Sequence, residues 1–432
     1  MTTEGFTGRW VLKVAAALGV ATALGCAESA PDVEPTAPLS PIASNVEPEP
    51  SAVAPVPRPL EVPPTRSGSA MVRTPDSRAL LIADEDHRVL RRVGLPLDAH
   101  AEVLTVALPG APASVLSLGR LVLVTVRDPG LLLILREEEN GLVEEARIPL
   151  SADAWGLAVT ADLKTALVTS AWTHQLSAID LEQRKLRWSV NVAREPRGIA
   201  ITNAGVAYVS HLVGSRLTRV DGLTAATPTI KRVELPAAPM RAAYGTALHA
   251  SLGYAAVLNA DESRLFAARH ALGGQSSGWW FGAATVDALF TASDEPVSPA
   301  HQPNSLGNST DMQNLLDIQG SVPLDQSAFV QPRAMAFRKT TNTILVVSEG
   351  KNELVELDAR AVDPSLARTN LYPLASYEPS NAPFTSLPLT GGAPTAIALS
   401  ADEQTAYVFG RSTNDVQAFS LRRPRELEPE KK

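Results

Sequence analysis

A fifteen-residue pattern that recurs along the chain constrains its fold more than any other feature. Each copy has an alternating apolar segment, a short polar turn that often holds an Asp, and a second segment rich in Val, Leu and Thr. Alternation on both sides of a polar turn predicts two antiparallel strands joined as a hairpin. The seven copies are residues 70–84, 114–126, 156–170, 198–211, 255–269, 334–348 and 396–410.

A third apolar segment, often ending in Asp, follows several of these hairpins, as at 175–182, 216–223 and 353–360. A repeating unit of about 40 residues made of such strands is typical of the blades of a β-propeller. A single blade exposes both faces of its sheet, whereas radial packing buries both faces and leaves short edges. The repeat therefore predicts an all-β propeller, with seven blades of four antiparallel strands. Irregular spacing of the later copies leaves six or eight blades open.

The alignment of the copies gives further expectations about the ring. We expect the two ends of the chain to share one blade and so close the ring, and we expect Leu167 and Ile199 in the core. Small residues at equivalent positions of the first strands suit a crowded centre, namely Ala158, Ala200, Ala336 and Ala398. The residues aligned just before the first strands are Ser69, Pro112, Trp155, Pro196, Tyr254, Pro332 and Pro394.

Two parts of the chain resemble a known family. Tyr208–His211, followed by Arg219–Asp221, and Tyr407–Gly410 resemble the YVTN repeats of bacterial β-propellers. The resemblance covers about 69–423 and implies the propeller fold, but no particular activity, because the motif residues of that family are structural. Many members are extracytoplasmic, and some larger relatives carry haem modules. The resemblance therefore makes an extracytoplasmic haem protein one candidate partner.

Residues 1–25 have the parts of an export signal, because basic residues precede a short apolar core, Val14–Gly25. The segment Ala23–Cys26 resembles a bacterial lipobox, which implies cleavage before Cys26 and acylation of that cysteine. Ala23 stands where that family prefers Leu, so ordinary cleavage nearby is the alternative. We predict a lipoprotein signal peptide and a lipid-anchored protein of the cell envelope, on the outer membrane or the periplasmic face.

Composition changes abruptly after the leader, because residues 26–66 are rich in proline. We predict a disordered, semi-extended tether after the lipidated Cys26, long enough to hold a domain on the order of 100 Å from the lipid. A proline-rich ligand for a recognition domain is the alternative. The propeller then spans 67–423, with a long insertion at about 272–331 in a late blade, and 424–432 form a charged tail.

Charge and motif content exclude several classes of function. A formal net charge of −8 and a pI near 5.5 argue against nucleic-acid binding. Cys26 is the only cysteine, which excludes an intramolecular disulfide, a cysteine metal site and a haem attachment motif. Asp84, Asp86 and Asp162 are expected to form turns rather than a calcium site. No phosphate loop or catalytic motif is present, so we predict no cofactor and no assigned catalytic residue.

The loops that enter each first strand and those that join second to third strands share one face of a propeller, around the channel mouth. Arg197 and Arg333 each follow a proline there. They could clamp a carboxylate or phosphate, or form salt bridges between blades. The loop histidines match no compact metal motif, so we predict no metal site. The candidate binding residues at the mouth are Trp155, His174, Arg197, His211, Arg269, His270, Arg333, Glu349 and Arg411, with Trp172 and Lys351 on the same face.

The predicted insertion carries three consecutive aromatic residues, Trp279, Trp280 and Phe281. Such residues are costly to leave in water, and a long loop inside a compact domain is usually functional or disordered. One interpretation is a lid or an aromatic platform for a sugar, a quinone or a partner. The other is that the three side chains anchor the insertion on the propeller.

These observations favour a membrane-anchored, extracytoplasmic propeller that acts as a binding or scaffold protein for a protein or another envelope component. The alternatives are a propeller enzyme of the lactonase or quinoprotein kind, and an accessory partner of an extracytoplasmic haem protein. For a lactonase, His270 with Glu349 is the pair to test.

Overall fold

The computed structural model describes residues 65–98, 100–138, 141–236, 249–274, 280–298, 329–374, 376–377 and 388–424, all within one compact unit, Pro57–Lys432. The predicted signal peptide, Cys26, the tether up to residue 64 and the tail from residue 425 lie outside the described residues. In the described part, no helix is long and apolar enough to span a membrane.

Apart from one two-stranded hairpin, the described strands form seven successive antiparallel sheets, and within each sheet the strands pair in the order of the chain. The first strands of successive sheets contact one another, and the first strand of the last sheet contacts that of the first. These contacts close a ring around a central channel. The chain is therefore a seven-bladed β-propeller, as the repeat predicts.

Blades 1 to 4 each contain four strands. Blade 1 has β1 (Met71–Arg73), β2 (Ala79–Asp84), β3 (Val89–Gly94) and β4 (Val103–Ala107), and blade 2 has β5 (Pro112–Leu118), β6 (Leu121–Val126), β7 (Leu131–Glu138) and β8 (Gly141–Pro149). Blade 3 has β9 (Ala154–Val159), β10 (Thr165–Ser170), β11 (Gln175–Asp180) and β12 (Lys185–Asn191), and blade 4 has β13 (Pro196–Ile201), β14 (Ala207–His211), β15 (Arg216–Asp221) and β16 (Thr229–Glu234).

The later blades are less regular, because the described parts of blades 5 and 7 contain three strands each. Blade 5 has β17 (His249–Leu258), β18 (Arg264–Gly274) and β19 (Trp280–Phe290), and blade 6 has β20 (Pro332–Arg338), β21 (Thr343–Ser348), β22 (Glu353–Asp358) and β23 (Arg368–Pro373). A small hairpin of β24 (Ser376–Tyr377) and β25 (Pro388–Thr390) precedes blade 7, which has β26 (Pro394–Leu399), β27 (Thr405–Gly410) and β28 (Asp415–Ser420).

The predicted insertion at 272–331 does not begin at residue 272, because that residue lies within a strand of blade 5. Strand β18 continues through Gly274 and pairs with β19 from Trp280 onward, so this part belongs to the blade itself. The run of glycines and aromatic residues has no strand alternation, which is why its sequence indicates a loop. Of the later part of 272–331, residues 299–328 lie outside the described residues.

The expected sharing of one blade by the two chain ends does not occur among the described residues. Blades 1 and 7 are separate sheets, and residues 66–69 instead enter the channel and pair with first strands of other blades. Ser67 bridges to Ala158 of β9, and Ser69 bridges to Val115 of β5. Arg66 pairs with Glu262, so this segment enters at the end of the channel formed by the turns between first and second strands. We call that end the turn face.

Side chains close the seam between blades 7 and 1 in place of a shared sheet. Arg73 Nε donates to the Leu399 carbonyl at 2.8 Å, and Met71 packs with Phe409 in one apolar cluster. The residues after β28 fold back on blade 6, where Arg422 N donates to the Tyr372 hydroxyl at 3.0 Å.

The turns between the first and second strands of blades 1, 3 and 7 contain the same side-chain hydrogen bonds, made by a Thr or Ser and by an Asp two residues later. In blade 3, Thr160 Oγ1 donates to Asp162 Oδ1 at 2.6 Å and accepts from Thr165 N at 3.1 Å. Equivalent bonds occur at 74–79 and 400–405. Asp162 is therefore a turn former, as predicted, because its carboxylate replaces backbone partners that a tight turn leaves unsatisfied.

The apolar core lies between neighbouring blades. Leu167 of blade 3 and Ile199 of blade 4 belong to one cluster and are 0% and 3% exposed, which confirms their predicted burial. Three of the four small residues predicted near the centre, Ala158, Ala200 and Ala398, are also buried.

Replacing Leu167 with Ala should lower the free energy of unfolding by about 2–5 kcal/mol, because the substitution opens a cavity between two blades. Urea denaturation measures this loss. Leu186→Ala in β12 of the same blade is the matched control, because Leu186 is 47% exposed and its truncation should cost less than about 0.5 kcal/mol. Equal losses in the two variants would show that the interface between blades 3 and 4 is not packed as described.

Candidate functional site

Each of three successive blades holds the next one through a buried hydroxyl group. In blade 3, Thr169 Oγ1 accepts from Gly156 N at 2.7 Å within its own sheet. The same hydroxyl donates to the Arg197 carbonyl of blade 4 at 2.8 Å. A Cβ atom on Gly156 would lie 1.9 Å from that carbonyl oxygen, so only glycine allows the approach. This contact fixes the backbone that presents Arg197 at the channel mouth.

The same bridge recurs on both sides of blade 3. Thr125 Oγ1 of blade 2 donates to the Trp155 carbonyl at 2.8 Å. Ser210 Oγ of blade 4 donates to the Tyr254 carbonyl at 3.1 Å. The three side chains that these bridges position, those of Trp155, Arg197 and Tyr254, are neighbours at the mouth because they occupy equivalent places in successive blades.

The side chains at the mouth of blades 2 to 4 form a ladder of alternating guanidinium and indole groups. The Arg197 Cζ lies 4.2 Å from the centre of the Trp155 ring, and the Arg127 Cζ lies 4.5 Å from it. The Arg127 Cζ also lies 5.8 Å from the centre of the Trp172 ring. Contacts of this kind are favourable because the ring face is electron-rich. Trp155, a predicted site residue, therefore contacts two guanidinium groups.

Asp153 joins the loops that hold this ladder. Its backbone N donates to the Arg127 carbonyl at 2.7 Å, and its carbonyl accepts from Ala171 N, beside Trp172, at 2.9 Å. Its fully buried carboxylate accepts from Arg127 Nε and lies 3.5 Å from Arg197 Nη1. The residue has a positive φ of 61°, a conformation that Asp tolerates better than most residues. One aspartate thus fixes two arginines and two loops.

Further ion pairs link the ladder to blades 1 and 7. Arg127 Nη1 donates to Glu85, whose other carboxylate oxygen lies 3.0 Å from Arg411 Nη1. Arg411 also donates to both oxygens of Asp86, at 2.6 and 2.8 Å. These bonds hold the pKa of Asp86 below its usual range, so that its carboxylate stays ionised. The predicted residue Arg411 is thereby part of the seam between the first and last blades.

A second cluster lies on the opposite side of the mouth, at blades 5 and 6. The Arg333 Cζ lies 3.9 Å from the centre of the Tyr254 ring, and Arg333 Nε lies 3.3 Å from Glu349. Arg197 likewise donates to Glu195 at 2.8 Å. Of the two roles predicted for Arg197 and Arg333, the structure shows ion pairing for both. The pair of Arg197 with Asp153 joins two blades.

We call the set formed by the ladder, its ion-pair partners and the second cluster the mouth belt. The channel below it holds a cavity of about 850 Å³. Glu85, Trp155, Tyr254, Arg333 and Arg411 line the cavity at the mouth, and Arg66 and Glu262 line it at the turn face. The mouth belt comprises Glu85, Asp86, Arg127, Asp153, Trp155, Trp172, Glu195, Arg197, Tyr254, Arg333, Glu349 and Arg411.

The predicted histidines are held by backbone and side-chain groups. His211 is buried, with Nδ1 3.0 Å from the Arg194 carbonyl and Nε2 2.8 Å from Thr218 Oγ1. His174 is half-buried in a turn, where its Nδ1 lies 2.9 Å from the Ala171 carbonyl. Among the described residues, no group of three His, Cys, Asp or Glu side chains could hold a metal ion.

His270 and Arg269 also lie inside the blade rather than at its surface. His270 Nδ1 accepts from Gln331 N at 3.1 Å, and Arg269 forms a buried ion pair with Asp287, with Nη2 2.9 Å from Oδ1. Both residues were expected in an exposed loop. They are buried because β18 runs on past them to Gly274. His270 and the predicted partner Glu349 are joined only indirectly, since Glu349 N donates to the Gln331 carbonyl at 3.1 Å.

The predicted aromatic platform cannot be followed at the level of side chains. Trp280 and Phe281 begin β19, where their backbone pairs with Gly274 and Gly273. Their side chains and the whole of Trp279 lie outside the described residues.

Sequence reasoning missed Glu85, Arg127 and Asp153 as parts of the site. The sequence does contain a signal for Glu85 and Arg127. In blades 1, 2, 6 and 7, the first residue after the second strand is charged, and these residues are Glu85, Arg127, Glu349 and Arg411, respectively. Residues of opposite charge in equivalent loops of adjacent blades predict ion pairs between blades. Asp153 has no comparable signal, because its role depends on a left-handed backbone conformation.

Comparison with known proteins supports the fold alone. The sequence matches no known family model and no curated protein at a significant level. Hydrazine synthase from Kuenenia stuttgartiensis is similar in structure, with a TM-score of 0.56, 12% identity and coverage of 86% of this chain and 100% of the other. A functionally unknown protein from Desulfotomaculum acetoxidans DSM 771 has a TM-score of 0.50, 12% identity and coverage of 79% and 92%. Virginiamycin B lyase from Staphylococcus aureus has a TM-score of 0.49, 11% identity and coverage of 83% and 96%.

Removing the bridging hydroxyl of blade 3 should destabilise the ring. In Thr169→Val, the buried Gly156 N and Arg197 carbonyl lose their partner, which should cost about 1–3 kcal/mol in the free energy of unfolding. Urea denaturation measures the loss, and Thr169→Ser, which keeps the hydroxyl, serves as the control. If the valine variant were as stable as the serine variant, the bridge would contribute nothing to stability.

The buried histidines should make the domain sensitive to acid. Burial lowers the pKa of His211 and of His270 to about 4, whereas an unfolded histidine titrates near about 6.5. The unfolded chain therefore binds protons first as the pH falls. Stability should be fully present above pH ~6.5 and should decrease between pH ~6.5 and ~4, by on the order of 3 kcal/mol for each histidine.

Titration of the imidazole resonances by NMR measures both pKa values directly, and unfolding at several pH values measures the loss of stability. His211→Gln should flatten the pH dependence. A folded-state pKa of 6 or above for both histidines would contradict this prediction.

Proposed function

We propose that this protein is a binding protein whose propeller holds a protein partner at the mouth face, and that acylated Cys26 anchors it to a membrane of the cell envelope. The observation that carries the proposal is the position of Trp172. Its side chain is 60% exposed, although it lies on the rim of the mouth beside a fixed arginine.

An exposed tryptophan backed by ordered groups has the properties of an interface hot spot. Such residues bury a large area at little cost in side-chain entropy, and they dominate the binding energy of many interfaces. Trp172 can serve in this way because Arg127 supports it from one side and is itself held by Asp153.

The surroundings of Trp172 also have the composition of an interface rim. The charged groups of the mouth belt pair with one another. A partner that covers them would therefore bury few charges that lack a group of opposite sign. A chain of ion pairs leads from Arg127 through Glu85 to Arg411, and the exposed Asp86 ends it. The belt thus combines one apolar anchor with a polar periphery.

The path of residues 65–69 is compatible with anchoring through the N-terminal part of the chain. Arg66 lies at the turn face, where it pairs with Glu262, at the end of the channel opposite the mouth. The proposed location is the outer membrane or the periplasmic face, and the proposed partner class is an envelope protein, which includes extracytoplasmic haem proteins.

Site-specific cross-linking in the native envelope tests the binding role. The full chain would carry a photo-reactive residue in place of Thr173, the exposed neighbour of Trp172, and a control would carry it in place of Leu163 on the turn face. We expect a discrete protein adduct from position 173 and none from position 163. Trp172→Ala should also reduce recovery of that partner at least about 30-fold, as for a hot-spot residue. Adducts from position 163 alone would place the binding site on the turn face.

Cell fractionation tests the anchor separately. The full chain should sediment with membranes, and Cys26→Ala should remain soluble or stay unprocessed, because the acylated residue is lost. Membrane association that is unchanged in the processed Cys26→Ala protein would overturn lipidation as the anchor.

A further inference from the structure

We infer that the partner presents an arginine side chain to the open face of Trp172. This inference rests on the proposed binding role and specifies the chemistry of the partner. The juxtaposition that carries it is the ladder of Arg197, Trp155, Arg127 and Trp172, which ends on an exposed ring.

The ladder alternates cation and ring without interruption. Its three contacts measure 4.2, 4.5 and 5.8 Å between guanidinium carbon and ring centre. Arg127 contacts two rings, and Trp155 contacts two guanidinium groups. In the part of the chain that the structure describes, Trp172 has a single guanidinium over its ring, and the residue is 60% exposed. A further guanidinium would give Trp172 the same environment as Trp155.

The charges around the ladder permit another cation. Asp153 and Glu85 neutralise Arg127, and Glu195 pairs with Arg197, so neither arginine presents an unbalanced positive charge to the partner. Within the mouth belt, five carboxylates outnumber four arginines. The chain as a whole has a formal net charge of −8. Long-range electrostatics therefore favour the approach of a basic segment over an acidic one.

The geometry favours arginine over lysine. A guanidinium is planar and weakly hydrated, so it can lie against an indole ring and lose little solvation, whereas an ammonium group is compact and strongly hydrated. Asp86, which ends the ion-pair chain that starts at Arg127, adds to the rim a carboxylate that is 48% exposed in its side chain.

Peptides of defined sequence test this chemistry on the full-length protein. The probes are (Gly-Arg)₃, (Gly-Lys)₃, (Gly-Glu)₃ and the citrulline analogue of the first, which keeps the planar group but has no charge. The protein carries 5-fluorotryptophan, and Trp172→Phe identifies the Trp172 resonance in ¹⁹F spectra.

The arginine peptide should shift the Trp172 resonance in a saturable way and bind at least about 3-fold more tightly than the lysine peptide. The citrulline and glutamate peptides should bind at least about 10-fold more weakly than the arginine peptide. Binding of the arginine peptide to variants is measured by calorimetry. Trp172→Ala should lose the binding, Trp172→Phe should retain part of it, and Leu163→Ala on the turn face should leave it unchanged.

Equal binding of the arginine and citrulline peptides would overturn the inference, as would arginine binding that survives Trp172→Ala. A protein that cross-links at position 173 while the peptides show no preference would overturn the inference alone and leave the binding role standing. If no protein cross-links at position 173, the proposed function fails, and the inference fails with it.

Discussion

The buried hydroxyl that bridges neighbouring blades is the interaction on which the rest of the structure depends. A propeller has no continuous sheet around its ring, so each blade boundary needs directional contacts in addition to apolar packing. Thr125, Thr169 and Ser210 supply them by joining an amide of their own blade to a carbonyl of the next. At Thr169 both bonds are buried, so the hydroxyl satisfies groups that water cannot reach, and a register error would leave them unpaired.

The same bridges explain why the mouth is ordered. Their acceptors are the carbonyl groups of Trp155, Arg197 and Tyr254, so the residues that face the mouth are also those whose backbone is fixed by the preceding blade. Side chains on such a frame can hold cation–π geometry, because little freedom remains to be lost. Asp153 adds a second level of order, since it binds the loops of Arg127 and Trp172 through its backbone and both arginines through its carboxylate.

The sequence predicts those features of the structure that depend on residues close together in the chain, and it does not predict those that depend on contacts between distant residues. Blade number, the turn role of Asp162 and the burial of Leu167 follow from patterns within one repeat, and the structure confirms them. The burial of Arg269 does not, because the buried charge is tolerated only through Asp287, on a different strand. Ring closure also could not be read from the repeats. Residues 66–69 carry no strand pattern, and their partners lie on other blades, namely the strands β5, β9 and β13 and the turn residue Glu262.

The ion pairs of Arg127 also explain why Trp172 lies where it does on the rim of the mouth. Arg127 pairs with Asp153 and Glu85, and the Trp172 ring beside it limits the access of water to these ion pairs, which strengthens them. Trp172 therefore has a structural role even without a partner. The proposed binding surface would need no conformational change, since Trp172 already lies against an arginine that ion pairs hold in place.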